Sequence, residues 1–389
     1  MVLFIETSLG VIGRSVLDAL SAVEESPSME NAAGKMAERR LFLGITNVGF
    51  WVIVSVVGLW RLAPTDAPRL ELVDLWFGAA CLLGVQSLFD WVGGAVWMPA
   101  PSPESGGFPV RWGRAFIVHT GLLVAVGILL FWSHRWFGSF CPGVAVCSCG
   151  LIWKRLAVLK LLSGDVVRSS SAGGFSCWSV HSKDPAFTGG LCGLGRRAVL
   201  VLPERWERML GETALDVVRR KRLWEIRAGL PGRTFVALTG WNLFGCGIGS
   251  WLFDLHARLP ANALALHGFW MTVWGFVGLL LLPGASRSAV HASDRAVAAE
   301  GCDVAGWIRA FPGIVGEDGS PNRLVQRVFY PIPSAAERLC GLESRGGLPV
   351  IGQVARTNLY LSLSTLTPLG RCVHCNVGRP ELWVFAPSD

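Results

Sequence analysis

Charged residues are scarce in this chain, at 16% of its 389 residues against 51% that are hydrophobic. Soluble globular domains carry about 25% charged residues, so the scarcity argues against an ordinary soluble protein. Only two tyrosines accompany eighteen tryptophans, many of them near the ends of apolar runs, where an indole ring suits the membrane–water interface. The first thirty residues contain Glu6, Asp18, Glu24 and Glu25 and lack a continuous apolar core, so no cleavable signal peptide is predicted.

Long apolar runs dominate the rest of the sequence. Five of them approach the roughly 20 residues that a helix needs to cross a bilayer, and the last two are separated by a short break and form a hairpin. They are Leu41–Trp60, Leu72–Phe89, Ala115–Trp132, Thr234–Leu255 and Ala261–Leu282. A sixth candidate, Phe137–Leu162, is interrupted by a proline and three basic residues, and we expect it to be an interfacial or re-entrant element.

The basic residues cluster beside these runs, and the net charge is +7. Such clusters orient spans by the positive-inside rule and contact anionic lipid, so the predicted partner is the lipid bilayer and not nucleic acid. The cluster at 219–233 places the connection 136–232 in the cytoplasm of an inner or plasma membrane protein. Three preceding spans would then put the basic N-terminal region outside. Either Phe137–Leu162 also crosses, or one of the first three runs does not.

Two further absences narrow the class of protein. The eleven cysteines are scattered, at least two of them inside spans, which does not indicate a disulfide framework. The sequence also lacks a duplicated pattern of broken helices, which disfavours a transporter.

The soluble stretches predict a small α+β domain. Ser163–Gly174 is expected to be a loop, and the apolar stretches Phe175–Val180 and Ala198–Leu202 are expected to be strands. A basic helical stretch, Glu212–Ala228, enters the hairpin and carries Lys221 on its apolar face. We therefore predict a mainly α integral membrane protein with at least five transmembrane helices and a small α+β domain that the last hairpin splits.

These expectations divide the chain into six segments. They are an N-terminal tail (1–40), transmembrane helices 1–3 (41–135), the first part of the domain with the interfacial element (136–232), the transmembrane hairpin (233–283), the second part of the domain (284–342), entered by the helical stretch 285–300, and a C-terminal segment (343–389).

Four short motifs occur in an order that resembles a known family. A turn precedes an apolar strand, a helix and the hairpin follow, and two more motifs come after the hairpin. The motifs are Asp184-Pro-Ala-Phe-Thr-Gly-Gly190, Arg196-Arg-Ala-Val-Leu-Val-Leu202, Ala292-Ser-Asp294-Arg-Ala296, and Tyr330-Pro-Ile-Pro-Ser334 with Glu337-Arg338-Leu339. In order and spacing, residues 166–342 resemble the M48 family of membrane zinc metalloproteases.

The resemblance implies a zincin-like domain with a peptide groove. In that family a turn of Asn-Ala-Phe-Ala-Thr-Gly type leads to the edge strand that holds the substrate, and a helix then carries His-Glu-x-x-His. The turn residues Asp184, Ala186, Phe187 and Gly189 are therefore expected to border a groove. An extended peptide is expected to add as a strand near Ala198–Leu202.

The zinc ligands of the family are absent at the matched positions. Two His at i and i+4 are needed to bring two imidazoles to one metal, and none of the seven His has that pattern. The resemblance places Lys221 and Glu225 at the two His and Arg222 at the general base. It places Val290, counted back from Asp294, at the Glu ligand. We therefore predict a catalytically inactive relative without a metal cofactor, which binds, scaffolds or regulates membrane proteins or extended peptides.

Two alternatives remain open for this region. Lys221 and Glu225 can form an ion pair one helical turn apart, which would put an ammonium where the metal would lie, or the helix end is a solvated basic face. A different function, an active metalloendopeptidase, would need zinc on unconventional ligands such as His181, Glu225, His291 and Asp294.

Overall fold

The computed structural model describes residues 29–96, 108–163, 166–172, 175–182, 184–315, 330–344, 347, 349 and 351–387. Most of the predicted tail 1–40 and residues 316–329 of the second domain segment lie outside these ranges. The first helices are α1 Met29–Leu62, α2 Leu72–Trp91 with a π-helical turn Val92–Val96, α3 Phe108–Phe137 and α4 Cys141–Ser163. The strands are β1 Val166–Ala172, β2 Phe175–Val180, β3 Gly190–Cys192 and β4 Val199–Pro203.

The remaining elements are again mostly helical. They are α5 Glu204–Met209, α6 Glu212–Arg227, α7 Leu230–Phe253, α8 Pro260–Ala299, α9 Val304–Val315, α10 Ala335–Glu343, α11 Val354–Leu361, α12 Leu369–Cys372 and α13 Pro380–Val384.

Five helices are long and apolar enough to cross a membrane, which confirms the predicted minimum. They are Glu38–Leu62, Leu72–Val96, Phe108–Phe137, Leu230–Phe253 and Pro260–Ala299. Four of the five predicted runs lie wholly inside them, and the run Thr234–Leu255 extends two residues past the end of α7. The chain is therefore a mainly helical membrane protein with a small sheet.

The region expected to be an interfacial or re-entrant element forms one helix without a break, α4. Pro142 stands in its first turn, where the missing N–H has no intrahelical acceptor to lose, so the proline starts the helix and does not break it. The basic residues are also accommodated. Arg155 is buried and donates from Nη2 to the Val384 carbonyl at 2.7 Å, and the Lys160 ammonium lies 3.8 Å from the Trp178 ring centroid.

The bundle has two ends, which we call the domain end, where α7 begins and α8 leaves, and the far end, where α7 and α8 are connected. α1 starts at the domain end, with Arg40 Nη1 donating to Gly93 O at 2.8 Å. α3 reaches the far end, where His134 Nε2 lies 2.8 Å from Leu255 O. α4 starts beside that connection and ends in a cluster shared by Leu162 and the sheet.

α4 therefore runs between the same two ends, although it is not one of the five helices that are long and apolar enough to cross a membrane. Were α4 to cross the membrane as well, the number of crossings before and after the domain would be even, and the chain would return to the same side each time. The beginning of α1 then lies at the domain end, with the basic cluster 219–233. A crossing by α4 would therefore remove the conflict that five crossings create with the positive-inside rule.

The sheet has the strand order β1-β2-β4-β3. β1 pairs antiparallel with β2, so most of the stretch expected to be a loop, Ser163–Gly174, is a strand. β4 lies between β2, with which it is parallel, and β3, with which it is antiparallel. The prediction that a peptide adds near Ala198–Leu202 was wrong, because β4 already has two partners. The edge at this side of the sheet is β3.

The hairpin and the domain are joined by one long helix, α8, which continues through Pro283 for 40 residues. At 1.5 Å per residue it is about 60 Å long, twice the apolar thickness of a bilayer. The boundary predicted at residue 283 therefore falls inside a helix. The last turns of α8 pack against α6 and α10, so elements from both sides of the hairpin form one domain.

The C-terminal segment belongs to the core of the molecule. α11, α12 and α13 pack on α3, α4, α7 and α8. The Tyr360 hydroxyl donates to Leu151 O at 3.0 Å, and Trp383 Nε1 donates to Asn376 O at 2.9 Å. The sequence analysis gave this segment bounds but no place in the fold.

Candidate functional site

A buried group of charges joins α6, α8 and α10. Lys221 Nζ lies 2.6 Å from Asp294 Oδ1. Arg338 donates two hydrogen bonds to the same carboxylate, from Nε to Oδ2 at 2.8 Å and from Nη2 to Oδ1 at 2.9 Å. The side chains of all three are at most 2% exposed. Two cations thus share one carboxylate inside the domain, and the guanidinium of Arg338 also lies 6.0 Å from the Phe311 ring centroid.

This arrangement corrects the expectation for the helix α6. Lys221, Arg222 and Glu225 are all buried, so the end of the helix is not a solvated basic face. Lys221 pairs with the carboxylate of Asp294, 73 residues away in the sequence, a partner that neither alternative included. The expectation that Lys221 points to the apolar side of its helix is confirmed.

Glu225 belongs to a second polar row beside this group. Its Oε2 lies 3.6 Å from Arg222 Nη1, and its Oε1 accepts from Gln353 Nε2 at 2.9 Å. Gln353 in turn accepts from Arg356 of α11. The row lines a cleft of about 70 Å³ between β3, the start of α7 and α11.

The predicted groove turn lies next to this cleft and is tightly held. Ala186 N donates to Asp184 Oδ1 at 2.9 Å, and Phe187 is fully buried against Phe385. Gly189 has φ +68°, and a Cβ there would lie 2.1 Å from Val201 O, so only glycine fits. The four predicted turn residues therefore do lead into an edge strand.

Asp184 is held by a residue that the sequence did not indicate. Arg379 Nε donates to Asp184 Oδ2 at 2.6 Å, and its Nη2 bonds the other oxygen. Burial alone would raise the pKa of Asp184, but the charge and hydrogen bonds of Arg379, together with the Ala186 N–H, lower it below the usual range. Arg205 completes the turn by donating to Asp184 O at 2.7 Å.

The edge of β3 faces the chain's own C-terminal residues. Arg155 donates to Leu191 O at 3.4 Å and to Val384 O at 2.7 Å, so one guanidinium joins the edge strand to the tail. Phe385 and Ala386 line the cleft on the other side. The tail thus lies beside the strand edge, and the space left is smaller than a peptide segment.

The structure does not bring the alternative zinc ligands together as one group. His181 is half exposed and pairs with Glu204 at 2.8 Å, while Glu225 and Asp294 are engaged as described. His291 packs against Gly341, and Val290 is buried. Among the described residues, no group of three or more His, Cys, Asp or Glu could hold a metal ion.

Three residues of the site were not predicted from the sequence. Arg338 stood inside a quoted motif without a role, and Gln353 and Arg379 carried no signal because they lie far along the chain from their partners. A comparison with protein-family models found no match. A comparison with curated proteins also found none.

Proposed function

We propose that this protein is a membrane-embedded relative of the M48 metalloproteases that has lost catalysis and binds extended peptide segments of membrane proteins. The order of elements supports the relation, because a tight turn leads to an edge strand, a helix follows, and the helix meets its partner after a transmembrane hairpin. The role would be binding, scaffolding or regulation, with the domain end in the cytoplasm.

The observation that carries this proposal is the charge at the positions matched to the metal site. Lys221 occupies a ligand position, and with Arg338 it surrounds Asp294. Arg222 adds a third buried cation and Glu225 a second carboxylate. A buried ammonium at a ligand position opposes the binding of a divalent cation there, since like charges repel strongly where water is excluded.

The first experiment measures zinc and proteolysis on the detergent-purified full-length chain. We expect less than stoichiometric zinc and no cleavage of an unfolded protein such as casein. Stoichiometric zinc that disappears in Glu225→Gln or His291→Ala would overturn the proposal in favour of the active metalloendopeptidase. Asp216→Asn, an exposed change on the same helix α6, is the matched control.

Peptide binding is proposed at the edge of β3. The Leu191 carbonyl faces away from β4 and bonds Arg155, so its N–H faces the same edge in a strand. Binding there requires Phe385 and Ala386 to leave the cleft, because the remaining volume is only about 70 Å³. The tail would then compete with any peptide that adds as a strand.

The second experiment measures binding of fluorescent extended peptides to the full chain by anisotropy. Leu191→Pro removes the edge donor without removing a donor to β4, and we expect at least a 10-fold loss of affinity. Leu191→Ala keeps both backbone groups and should bind nearly as the parent does. Equal affinity of the parent and the proline variant would exclude this edge as the binding site.

A further inference from the structure

A mainly apolar cavity of about 290 Å³ lies between α1 and α8, close to the domain end. One stripe of α1, which includes Leu41, Ile45 and Val48, forms a wall of the cavity. Phe276 and Pro283 of α8 belong to a second wall, and α11 contributes further residues. The cavity is therefore built mainly from two transmembrane helices and is larger than the cleft of about 70 Å³ beside β3.

A motif that has no place in the peptide cleft also lines this cavity. Tyr330, Pro331 and Ile332, the first residues of the motif that follows the hairpin, all border it. The Tyr330 ring lies 5.1 Å from the ring of His374, which is another residue of the wall. Aromatic rings with a polar tip suit the membrane–water interface. The cavity therefore begins at the level of that interface, at the domain end.

The two ends of the cavity differ in polarity. Ala355 N donates to Ser286 Oγ at 2.8 Å, so the neighbouring Arg356, which lines the cavity, lies at the domain end. Phe276 precedes Ser286 on α8 by ten residues, which is about 15 Å along a helix, so it lies deeper in the span. The described residues of the wall include no Asp or Glu. A cation thus marks one end of the cavity and apolar side chains form the other.

We propose that this cavity binds one long-chain fatty acid, with the carboxylate at Arg356 and the chain running towards Phe276. An apolar void excludes water, and its lining lacks dispersion contacts that a hydrocarbon chain restores. The planar guanidinium matches a carboxylate in shape and charge. Arg356 is only 5% exposed, which favours a small carboxylate over a hydrated phospholipid headgroup. This inference does not depend on the proposed function of the domain.

The size and the opening of the cavity agree with a single chain from the bilayer. Its volume is near the lower limit of about 300 Å³ for small-molecule pockets, which suits one chain and not the two chains of a phospholipid. Ile45 and Leu280 line the cavity and are 45% and 44% exposed on the outside of the bundle. The cavity therefore opens to the surface that lipid covers, and a fatty acid can enter without crossing water.

Gly49 faces open space in the wall of the cavity. A Cβ built at Gly49 has none of the described atoms that were compared within 4 Å. Leucine at this position would fill the cavity without a clash at its Cβ, and leucine favours a helix more than glycine does. Gly78 of α2 has the same open space around its Cβ but does not line the cavity. The two glycines therefore form a matched pair for a cavity-filling test.

The test uses palmitate that carries a diazirine in its chain, photo-crosslinked to the detergent-purified full chain. We expect saturable labelling of α1 or α8 at the cavity wall. Unlabelled palmitate should displace the probe, and its methyl ester, which has the same chain without the charge, should not. Labelling that does not saturate, or that the methyl ester displaces equally well, would overturn the proposal, as would displacement by phosphatidylglycerol alone. This competition in the parent protein decides the proposal without any variant.

Two variants then test the two ends of the cavity. Gly49→Leu places a side chain where the hydrocarbon would lie, and Arg356→Gln removes the cation, so each should weaken palmitate binding by at least about 10-fold. Gly78→Leu and Arg61→Gln, an exposed change at the far end of α1, should bind palmitate like the parent. Circular dichroism checks that each variant is folded. Equal affinity of the parent and a folded Gly49→Leu variant would exclude this cavity as the site.

Discussion

Arg379 and Asp184 form a buried, two-pronged ion pair, with the Arg379 Nε 2.6 Å from the Asp184 Oδ2. The two residues are 195 positions apart and join the C-terminal segment to the turn before β3. The pair sets where the tail lies relative to the edge strand. A cation from the last tenth of the chain therefore shapes the proposed peptide site.

Replacing Arg379 with Met should destabilise the domain strongly. The change leaves the Asp184 carboxylate buried without its main partner, and such a loss costs about 3–5 kcal/mol. The free energy of unfolding, measured by denaturant titration in detergent, reports the change. Arg208→Met removes an arginine from an exposed pair with Glu204 and should change stability by less than about 0.5 kcal/mol. Equal effects of the two substitutions would contradict the structural role of the pair.

The same pair predicts how stability depends on pH. The pKa of Asp184 is lowered in the folded state, so its contribution is complete above the unfolded pKa of about 3.9 and is lost as the pH falls through the folded pKa. Between pH 7 and 5 the pair should leave parent stability unchanged. In Arg379→Met, burial should raise the pKa of Asp184, so the deficit should shrink as the pH is lowered. A deficit that grows on acidification would contradict this assignment.

The group around Asp294 should respond unequally to loss of its members. Asp294→Asn removes the buried carboxylate that pairs with both Lys221 and Arg338, and we expect a loss of about 3–5 kcal/mol. Lys221→Met leaves the Asp294 carboxylate paired with the Arg338 guanidinium, so the loss should be smaller than that of Asp294→Asn. Thermal unfolding of the two variants measures the difference. A Lys221 variant as unstable as the Asp294 variant would show that the ammonium is required for folding.

A crossing by α4 predicts the sidedness of the loops. Single cysteines introduced at Pro64 or His256, both at the far end, should react with an impermeant thiol reagent from one side of the membrane. A cysteine at the exposed Glu300 should react only from the other side, as should one at Glu38, because α1 begins at the domain end. The test uses a background in which the exposed native cysteines are changed to serine. Labelling of residues 38 and 300 from opposite sides would contradict the crossing of α4.

Local patterns were enough to predict much of the architecture. The five apolar runs became five long helices, and the stretches around 175–180 and 198–202 became strands, because run length and alternation report the immediate surroundings of each residue. The same pattern placed Lys221 on the buried face of α6. The resemblance to the M48 proteases stays a prediction.

The predicted elements differed from the observed ones where one local sequence pattern was compatible with two structures. A proline and three basic residues in the α4 region suggested an interrupted element. In the structure Pro142 lies in the first turn of α4, and the buried Arg155 donates a hydrogen bond to the Val384 carbonyl in the C-terminal segment. Likewise, a polar Ser- and Gly-rich stretch became β1 because β2 offers it a full set of backbone partners.

The sequence by itself determined that this is a membrane protein, where its main spans lie and which face of α6 turns inward, since these follow from the transfer of apolar residues out of water. Only the tertiary structure decided that β3 is the edge strand, that Lys221 pairs with Asp294, and that the C-terminal segment lies against the cleft. Each of these outcomes depends on pairing between residues far apart in the chain, 73 positions for Lys221 and Asp294 and 195 for Arg379 and Asp184. The periodicity of one segment carries no information about which distant charge will meet it.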